Sequence, residues 1–87
     1  MIYSDVEIDE GSIIRTFGED IDPIELQWHR DDEDRVVVAV DETDWLIQLE
    51  DKLPQVLTTP LFIERGQWHR LIKGSRELKV KIVKGNG

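Results

Sequence analysis

Short stretches in which apolar and polar residues alternate run through most of the sequence, and none shows the 3.6-residue period of a long helix. The clearest is residues 35–40, RVVVAV, because β-branched side chains suit a pleated sheet. The last, residues 77–84, sets Leu78, Val80 and Ile82 on one face. The predicted strands are residues 12–17, 24–29, 35–40, 45–49, 55–58, 61–64, 68–73 and 77–84. Short strands separated by turns predict an all-β fold, a small barrel or sandwich.

The length of 87 residues predicts one domain spanning residues 1–87, small enough to gain stability from a partner subunit. No apolar run approaches the ~20 residues that a membrane span requires. The acidic N-terminus lacks the basic and apolar regions of a signal peptide. The absence of cysteine excludes disulfides and thiolate chemistry. We therefore expect a cytoplasmic protein with no membrane partner.

The net charge of −8 argues against nucleic acid as a partner, because phosphates would be repelled. The charge is unevenly distributed: residues 1–34 sum to −10 and residues 65–87 to +6. Two interpretations of the basic segment remain open. Lys79, Lys81 and Lys84 form an anion-binding edge, or their strand lies beside the acidic N-terminal part or guards a sheet edge. The second interpretation is the more common outcome for a run of surface charge.

The tetrapeptide Gln-Trp-His-Arg occurs twice, at residues 27–30 and 67–70, and contains both histidines of the chain. Because side chains alternate along a strand, Gln27 and His29 share one face and Trp28 points to the other. The second copy likewise directs Trp68 away from His69. We expect the two tryptophans to lie in a second core or a subunit interface, and therefore expect a homodimer.

At these positions the sequence resembles the cupin superfamily. The first cupin motif reads Gly-x5-His-x-His-x3 or 4-Glu-x6-Gly. Placing its second histidine on His29 puts its first on Gln27 and its acid on Asp34, or on Glu33 with the shorter spacing. Ile21 stands where the first glycine would be. If the acid is Asp34, its side chain has one methylene fewer than the glutamate of the family.

The second cupin motif reads Gly-x5-Pro-x-Gly-x2-His-x3-Asn. With its histidine on His69, Gly66 matches the inner glycine, while Thr58, Glu64 and Lys73 replace the first glycine, the proline and the asparagine. Sixteen residues, 42–57, separate the two motifs, close to the family minimum. The resemblance covers about residues 24–84 and implies a small cupin-like barrel, a double-stranded β-helix of the jelly-roll type.

The resemblance implies a site where Gln27, His29, Asp34 and His69 converge inside the barrel. Two imidazoles and a carboxylate hold ferrous iron with open positions, and zinc, nickel or manganese are further candidates. Three interpretations remain open: a metal site acting on or binding a small molecule, a metal-free ligand pocket, and a structural interior. Whether the protein is an enzyme is also open, since no phosphate loop or nucleophile motif is present.

Overall fold

The computed structural model describes residues 2–85, which form eight β-strands and one short 3-10 turn but no α-helix. The strands are β1 (Tyr3–Asp9), β2 (Ser12–Phe17), β3 (Arg35–Ala39), β4 (Leu46–Leu49), β5 (Gln55–Val56), β6 (Leu61–Ile63), β7 (His69–Ile72) and β8 (Leu78–Lys84). The predicted all-β fold is confirmed. Within these residues no helix is long and apolar enough to cross a membrane.

The strands form two antiparallel sheets. The larger has the order β1-β2-β8-β3-β6, and the smaller has the order β5-β4-β7. In the larger sheet the C-terminal strand β8 lies between β2 and β3, so these adjacent strands are distant in the sequence. The two sheets therefore form the small β-sandwich that the sequence predicted.

The core lies between the inner faces of the two sheets, and alternation along each strand supplies it. In β8, Leu78, Val80 and Ile82 are buried, as the pattern predicted. Trp45 is fully buried next to Phe17, with ring centroids 5.9 Å apart. The buried apolar residues are Ile13, Phe17, Ile21, Val37, Trp45, Ile47, Leu49, Leu57, Ile63, Leu78, Val80 and Ile82.

The basic C-terminal strand occupies an interior position in its sheet. Because β8 pairs with β2 on one side and β3 on the other, the interpretations that placed it at a sheet edge are wrong. The acidic strand β1 is separated from it only by β2. Lys84 Nζ lies 4.0 Å from Glu33 Oε1, so the basic segment does meet the acidic part of the chain.

The sequence patterns misassigned one segment and missed one strand. Residues 24–29 do not form a strand: Pro23–Glu25 is a 3-10 turn, in which the Asp22 side chain accepts a hydrogen bond from Ile24 N (3.1 Å). Proline at the start of the turn and an aspartate cap favour this structure over extended chain. The strand β1 was not predicted, because its acidic residues resemble those of a solvated segment. The other predicted strands are present with ends that are identical or a few residues shorter.

Candidate metal centre

The two histidines lie side by side, as the resemblance implied. His29 and His69 form an antiparallel bridge in which each backbone N–H donates to the carbonyl of the other, both at 2.9 Å. Their ring centroids are 4.2 Å apart, and the rings are inclined at 60°. His69 is 5% exposed, whereas His29 is exposed at the rim of the cavity. Backbone pairing of the two tetrapeptides therefore fixes the imidazoles as a pair.

Each imidazole is oriented by a carbonyl two residues earlier in the chain. His29 Nδ1 lies 3.1 Å from Gln27 O, and His69 Nδ1 lies 2.8 Å from Gln67 O. Because a carbonyl oxygen only accepts hydrogen bonds, Nδ1 carries the proton in both neutral rings. Each Nε2 then presents a lone pair, which is the arrangement that metal-binding histidines use.

Asp31 supplies a carboxylate beside the two rings. Its Oδ2 is buried, makes no hydrogen bond and lies 3.2 Å from His69 Nε2. The ligand atoms of His29, Asp31 and His69 all lie within 4.8 Å of one another. With neutral His69, two lone-pair atoms face each other across 3.2 Å, an arrangement that a cation between them would relieve. The donor set, with a buried carboxylate oxygen that accepts no hydrogen bond, therefore fits a divalent metal.

Burial lowers the pKa of His69 below the ordinary value of 6.5. The hydrogen bond to Gln67 O opposes this shift, as does the charge of Asp31, while His29 and Arg35 lower the pKa further. The neutral ring, with its free Nε2, is therefore the form that the folded protein favours around neutral pH.

The lowered pKa of His69 makes the stability of the metal-free protein depend on pH. In the unfolded chain, His69 takes up its proton as the pH falls through 6.5, whereas the folded protein takes it up only at lower pH. Protonation of the unfolded state then favours unfolding, so Tm should fall as the pH drops below about 6.5. Melting curves in chelator should show this slope in the natural protein and a smaller one in His69→Gln. Identical slopes would show that His69 titrates normally.

Arg35 and Gly66 hold Asp31 in place. Arg35 Nη1 lies 3.4 Å from Asp31 Oδ2, and Arg35 Nη2 donates to Glu33 Oε1 at 3.1 Å. Gly66 N donates to the backbone oxygen of Asp31 at 2.9 Å, from a turn in which Gly66 has φ +81°. That left-handed conformation favours glycine, which explains the match to the inner glycine of the second motif.

The structure does not bring Asp34 or Glu33 into this group, while Gln27 lines the cavity beside it. Asp34 Oδ1 accepts a hydrogen bond from Arg65 N at 2.8 Å, and Glu33 pairs with Arg35. The Gln27 side chain is exposed, and its Nε2 donates to Ile24 O at 3.3 Å. Among the histidine, aspartate and glutamate side chains of residues 2–85, the group that could hold a metal consists of His29, Asp31 and His69. The carboxylate beside the histidines is thus Asp31, at a position for which Asp34 or Glu33 was predicted.

The alternation rule could have identified Asp31. It stands two residues after His29, so an extended chain directs both side chains to the same face. The four-acid run at residues 31–34 concealed this signal, because such runs are usually solvated. Asp31 is instead mostly buried, with a side chain that is 14% exposed.

The three residues border a cavity of about 470 Å³ between the sheets. Its walls are mainly apolar, and Arg15 and Tyr3 line it from the larger sheet. The Arg15 guanidinium lies 3.8 Å from the Tyr3 ring centroid and forms two hydrogen bonds to the Asp5 carboxylate, at 2.8 and 2.9 Å. A cavity of this size accommodates a small molecule.

Comparison of the sequence with family models and with curated proteins gives no match. Several solved structures are similar in fold. A cupin domain from Bordetella pertussis Tohama I superposes with a TM-score of 0.58 at 18% identity, over 97% of this chain and 92% of the other. A candidate mannose-6-phosphate isomerase from Ralstonia eutropha JMP134 gives a TM-score of 0.66 at 18% identity, over 99% and 84% of the two chains.

A third similar structure is the iron(II) form of HppE, with a TM-score of 0.66 at 15% identity. The match covers 95% of this chain but only 48% of HppE, so the chain spans about half of that protein. At these identities the likeness concerns the course of the backbone. The pairing of His29 with His69 is therefore observed in this chain's own structure, independently of these similar proteins.

Proposed function

Because the chain has the cupin fold, we propose that it holds a divalent metal through His29, Asp31 and His69 and binds a small molecule in the adjoining cavity. The observation that supports this most directly is the convergence of three ligand atoms within 4.8 Å. Two imidazoles and one carboxylate leave coordination positions open, as in sites that bind both a metal and a second ligand.

Imidazole and carboxylate ligands suit Fe(II), Zn(II), Ni(II) and Mn(II). When bound, such an ion supplies Lewis-acid or oxygen-activating chemistry. The iron in HppE, a protein with the same fold, supports iron as one of the candidates. The chain's own residues set the conditions for binding: the carbonyls of Gln27 and Gln67 orient the imidazoles, and Arg35 fixes the carboxylate.

The surroundings of the two imidazoles also determine which molecules fit the site. The buried ring of His69 faces the apolar interior, while the exposed ring of His29 lies toward solvent. A bound molecule would therefore contact apolar walls, including Leu71 and Ile47, on one side of the ligand group. This arrangement favours a small molecule with an apolar part and at least one polar atom for the metal.

A metal-free ligand cavity is the second candidate, and one observation favours it. Arg35 Nη1 lies 3.4 Å from Asp31 Oδ2, so the carboxylate has a counter-charge without a metal. In that case the same cavity binds a small molecule directly through His29, His69 and the apolar walls.

The direct test is isothermal titration of chelator-treated protein with Fe(II), under anaerobic conditions, and with Zn(II), Ni(II) and Mn(II). We expect one ion per chain for at least one of these metals. Asp31→Asn should weaken binding by at least about 10-fold, since it removes the charge of one of three ligands. His29→Ala should have a comparable or larger effect.

Asp32→Asn provides the matched control, because Asp32 is an exposed neighbour that lies outside the ligand group. It makes the same change of charge one residue away and should leave the affinity unchanged. If Asp31→Asn and Asp32→Asn weaken binding equally, the ion binds the surface acids. Absence of binding for all four metals would favour the metal-free cavity.

A further inference from the structure

Arg15 is a charged residue on the inward face of the larger sheet. On strand β2 it stands two residues from both Ile13 and Phe17, which are buried in the core, so alternation directs its side chain inward as well. The side chain is 14% exposed and lines the cavity that the three metal ligands border. Replacing a buried ion pair by apolar residues of similar size is often neutral or stabilising. Packing alone therefore does not explain an arginine at this position.

The guanidinium of Arg15 is held in place and still has donor capacity. Asp5 lies directly across from it on the edge strand β1 and accepts hydrogen bonds from Nε at 2.8 Å and from Nη2 at 2.9 Å. The guanidinium carbon lies 3.8 Å from the centroid of the Tyr3 ring. Among residues 2–85 both hydrogen bonds of the guanidinium go to Asp5, which leaves Nη1 for a ligand. A molecule in the cavity therefore meets a preorganised cationic donor.

The charges around the cavity balance when a single negative charge is added. The two arginines that line it each pair with an acid, Arg15 with Asp5 and Arg35 with Glu33. A divalent ion beside Asp31 leaves one positive charge, because metal-bound imidazoles are neutral. Glu25 also borders the cavity, but it is exposed and solvent screens its charge. Since an uncompensated charge among apolar walls is costly, the cavity favours a monoanion.

Arg15 and the metal ligands lie within electrostatic reach of each other. Burial by itself would lower the pKa of Arg15, but the hydrogen bonds to Asp5 outweigh it, and the pKa is raised above its usual value. The charge of Asp31 contributes to this increase from the other side of the cavity. A single small molecule can therefore contact both the guanidinium and the metal.

We propose that the cavity binds a small monocarboxylic acid, whose carboxylate accepts a hydrogen bond from Arg15 Nη1 while an oxygen at its other end faces the metal. This inference rests on the ligand cavity proposed above and names the class of molecule that it holds. Val80, the cross-strand neighbour of Arg15, is among the apolar residues that contact the carbon body of the acid. A phosphate monoester fits less well, because its second negative charge would have no counter-charge.

Binding of matched acids and amides tests the proposal. The probes are straight-chain acids with a hydroxyl at the far end, from hydroxypentanoate to hydroxyoctanoate, and their uncharged amides. Isothermal titration is carried out with metal-loaded and with chelator-treated protein. At the chain length that binds best, the acid should bind at least about 10-fold more tightly than its amide, because charge-assisted hydrogen bonds are about twice as strong as neutral ones.

Two arginine variants form a matched pair. Arg15→Met should abolish the preference for the acid, because the cationic donor is lost. Arg76→Met makes the same change at an exposed arginine that does not line the cavity, and it should keep the preference. Circular dichroism verifies that both variants are folded.

Asp5→Asn tests the same contact without removing Arg15. It takes away the negative charge that competes for the guanidinium, so the acid should bind several-fold more tightly while the amide binds as before. If Arg15 served only to pair with Asp5, neither affinity would change. This variant keeps the shape of the exposed Asp5 side chain, so the fold should be retained.

The outcomes separate this inference from the metal site. Metal binding with no binding of the acids, with equal binding of acids and amides, or with the preference retained in Arg15→Met would overturn the inference alone. An acid preference that depends on Arg15 in protein that binds none of the four metals would support the inference and overturn the metal site. Absence of both metal and acid binding would overturn both.

Discussion

Trp45→Ala is expected to lower the free energy of unfolding by about 3–5 kcal/mol, the usual cost of deleting a large buried aromatic side chain. Trp45 is fully buried and packs against Phe17. Its Nε1 donates to Arg76 O at 2.6 Å, so the substitution also removes the partner of that carbonyl. Because small domains are stable by only about 5–15 kcal/mol, the variant should be close to unfolding at room temperature.

Urea denaturation followed by circular dichroism measures this loss. Phe62→Ala is a suitable control, because Phe62 is 57% exposed and its truncation should cost less than about 1 kcal/mol. Trp45→Phe keeps an aromatic ring but removes the N–H group, and its cost should lie between those of the other two variants. Equal losses in Trp45→Ala and Phe62→Ala would contradict the assignment of Trp45 to the core.

A bound metal should raise the melting temperature substantially. An ion that binds only the folded state at a concentration of about 100 times Kd adds about 2.7 kcal/mol to the free energy of unfolding. For a domain of this size, this corresponds to an increase in Tm of roughly 10–20 °C. His69→Ala should show no increase, because it removes the most deeply buried of the three ligands.

Differential scanning calorimetry of chelator-treated protein, with and without the metal that binds in the titration, measures the shift. Asp32→Asn should retain the full increase, since Asp32 is exposed and outside the ligand group. A full increase in His69→Ala would place the ion elsewhere on this acidic protein, and no increase in the natural protein would argue that the site has no metal.

Strand rhythm and histidine spacing were enough to predict the fold. The pattern of β8 placed Leu78, Val80 and Ile82 inside because two-residue periodicity is a direct consequence of strand geometry. The segment at residues 24–29 was misassigned because its apolar residues suggested alternation, while Asp22 and Pro23 favour a capped turn. The strand β1 was missed because pairing with β2, which its acidic sequence does not reveal, stabilises it.

The candidate site was predictable in part. The motif spacing correctly indicated that His29 and His69 are neighbours. It could not indicate which acid accompanies them, because the outcome depends on contacts between distant residues. Gly66 N donates a hydrogen bond to the backbone oxygen of Asp31, and Arg65 N donates one to the carboxylate of Asp34. These hydrogen bonds come from the turn between β6 and β7, more than thirty residues further along the chain.

The pairing of two identical tetrapeptides places the same chemical contact in the molecule twice. Arg30 over Trp68 and Arg70 over Trp28 have the same partners and nearly equal separations, yet Arg30 is exposed while Arg70 is half-buried and also donates to Gln48 Oε1 at 3.0 Å. Two double-mutant cycles in one protein would therefore compare a guanidinium–indole pair in two degrees of solvation, within two copies of the same tetrapeptide. The repeated tetrapeptide therefore allows the strength of this contact to be compared at two degrees of solvent exposure in the same protein.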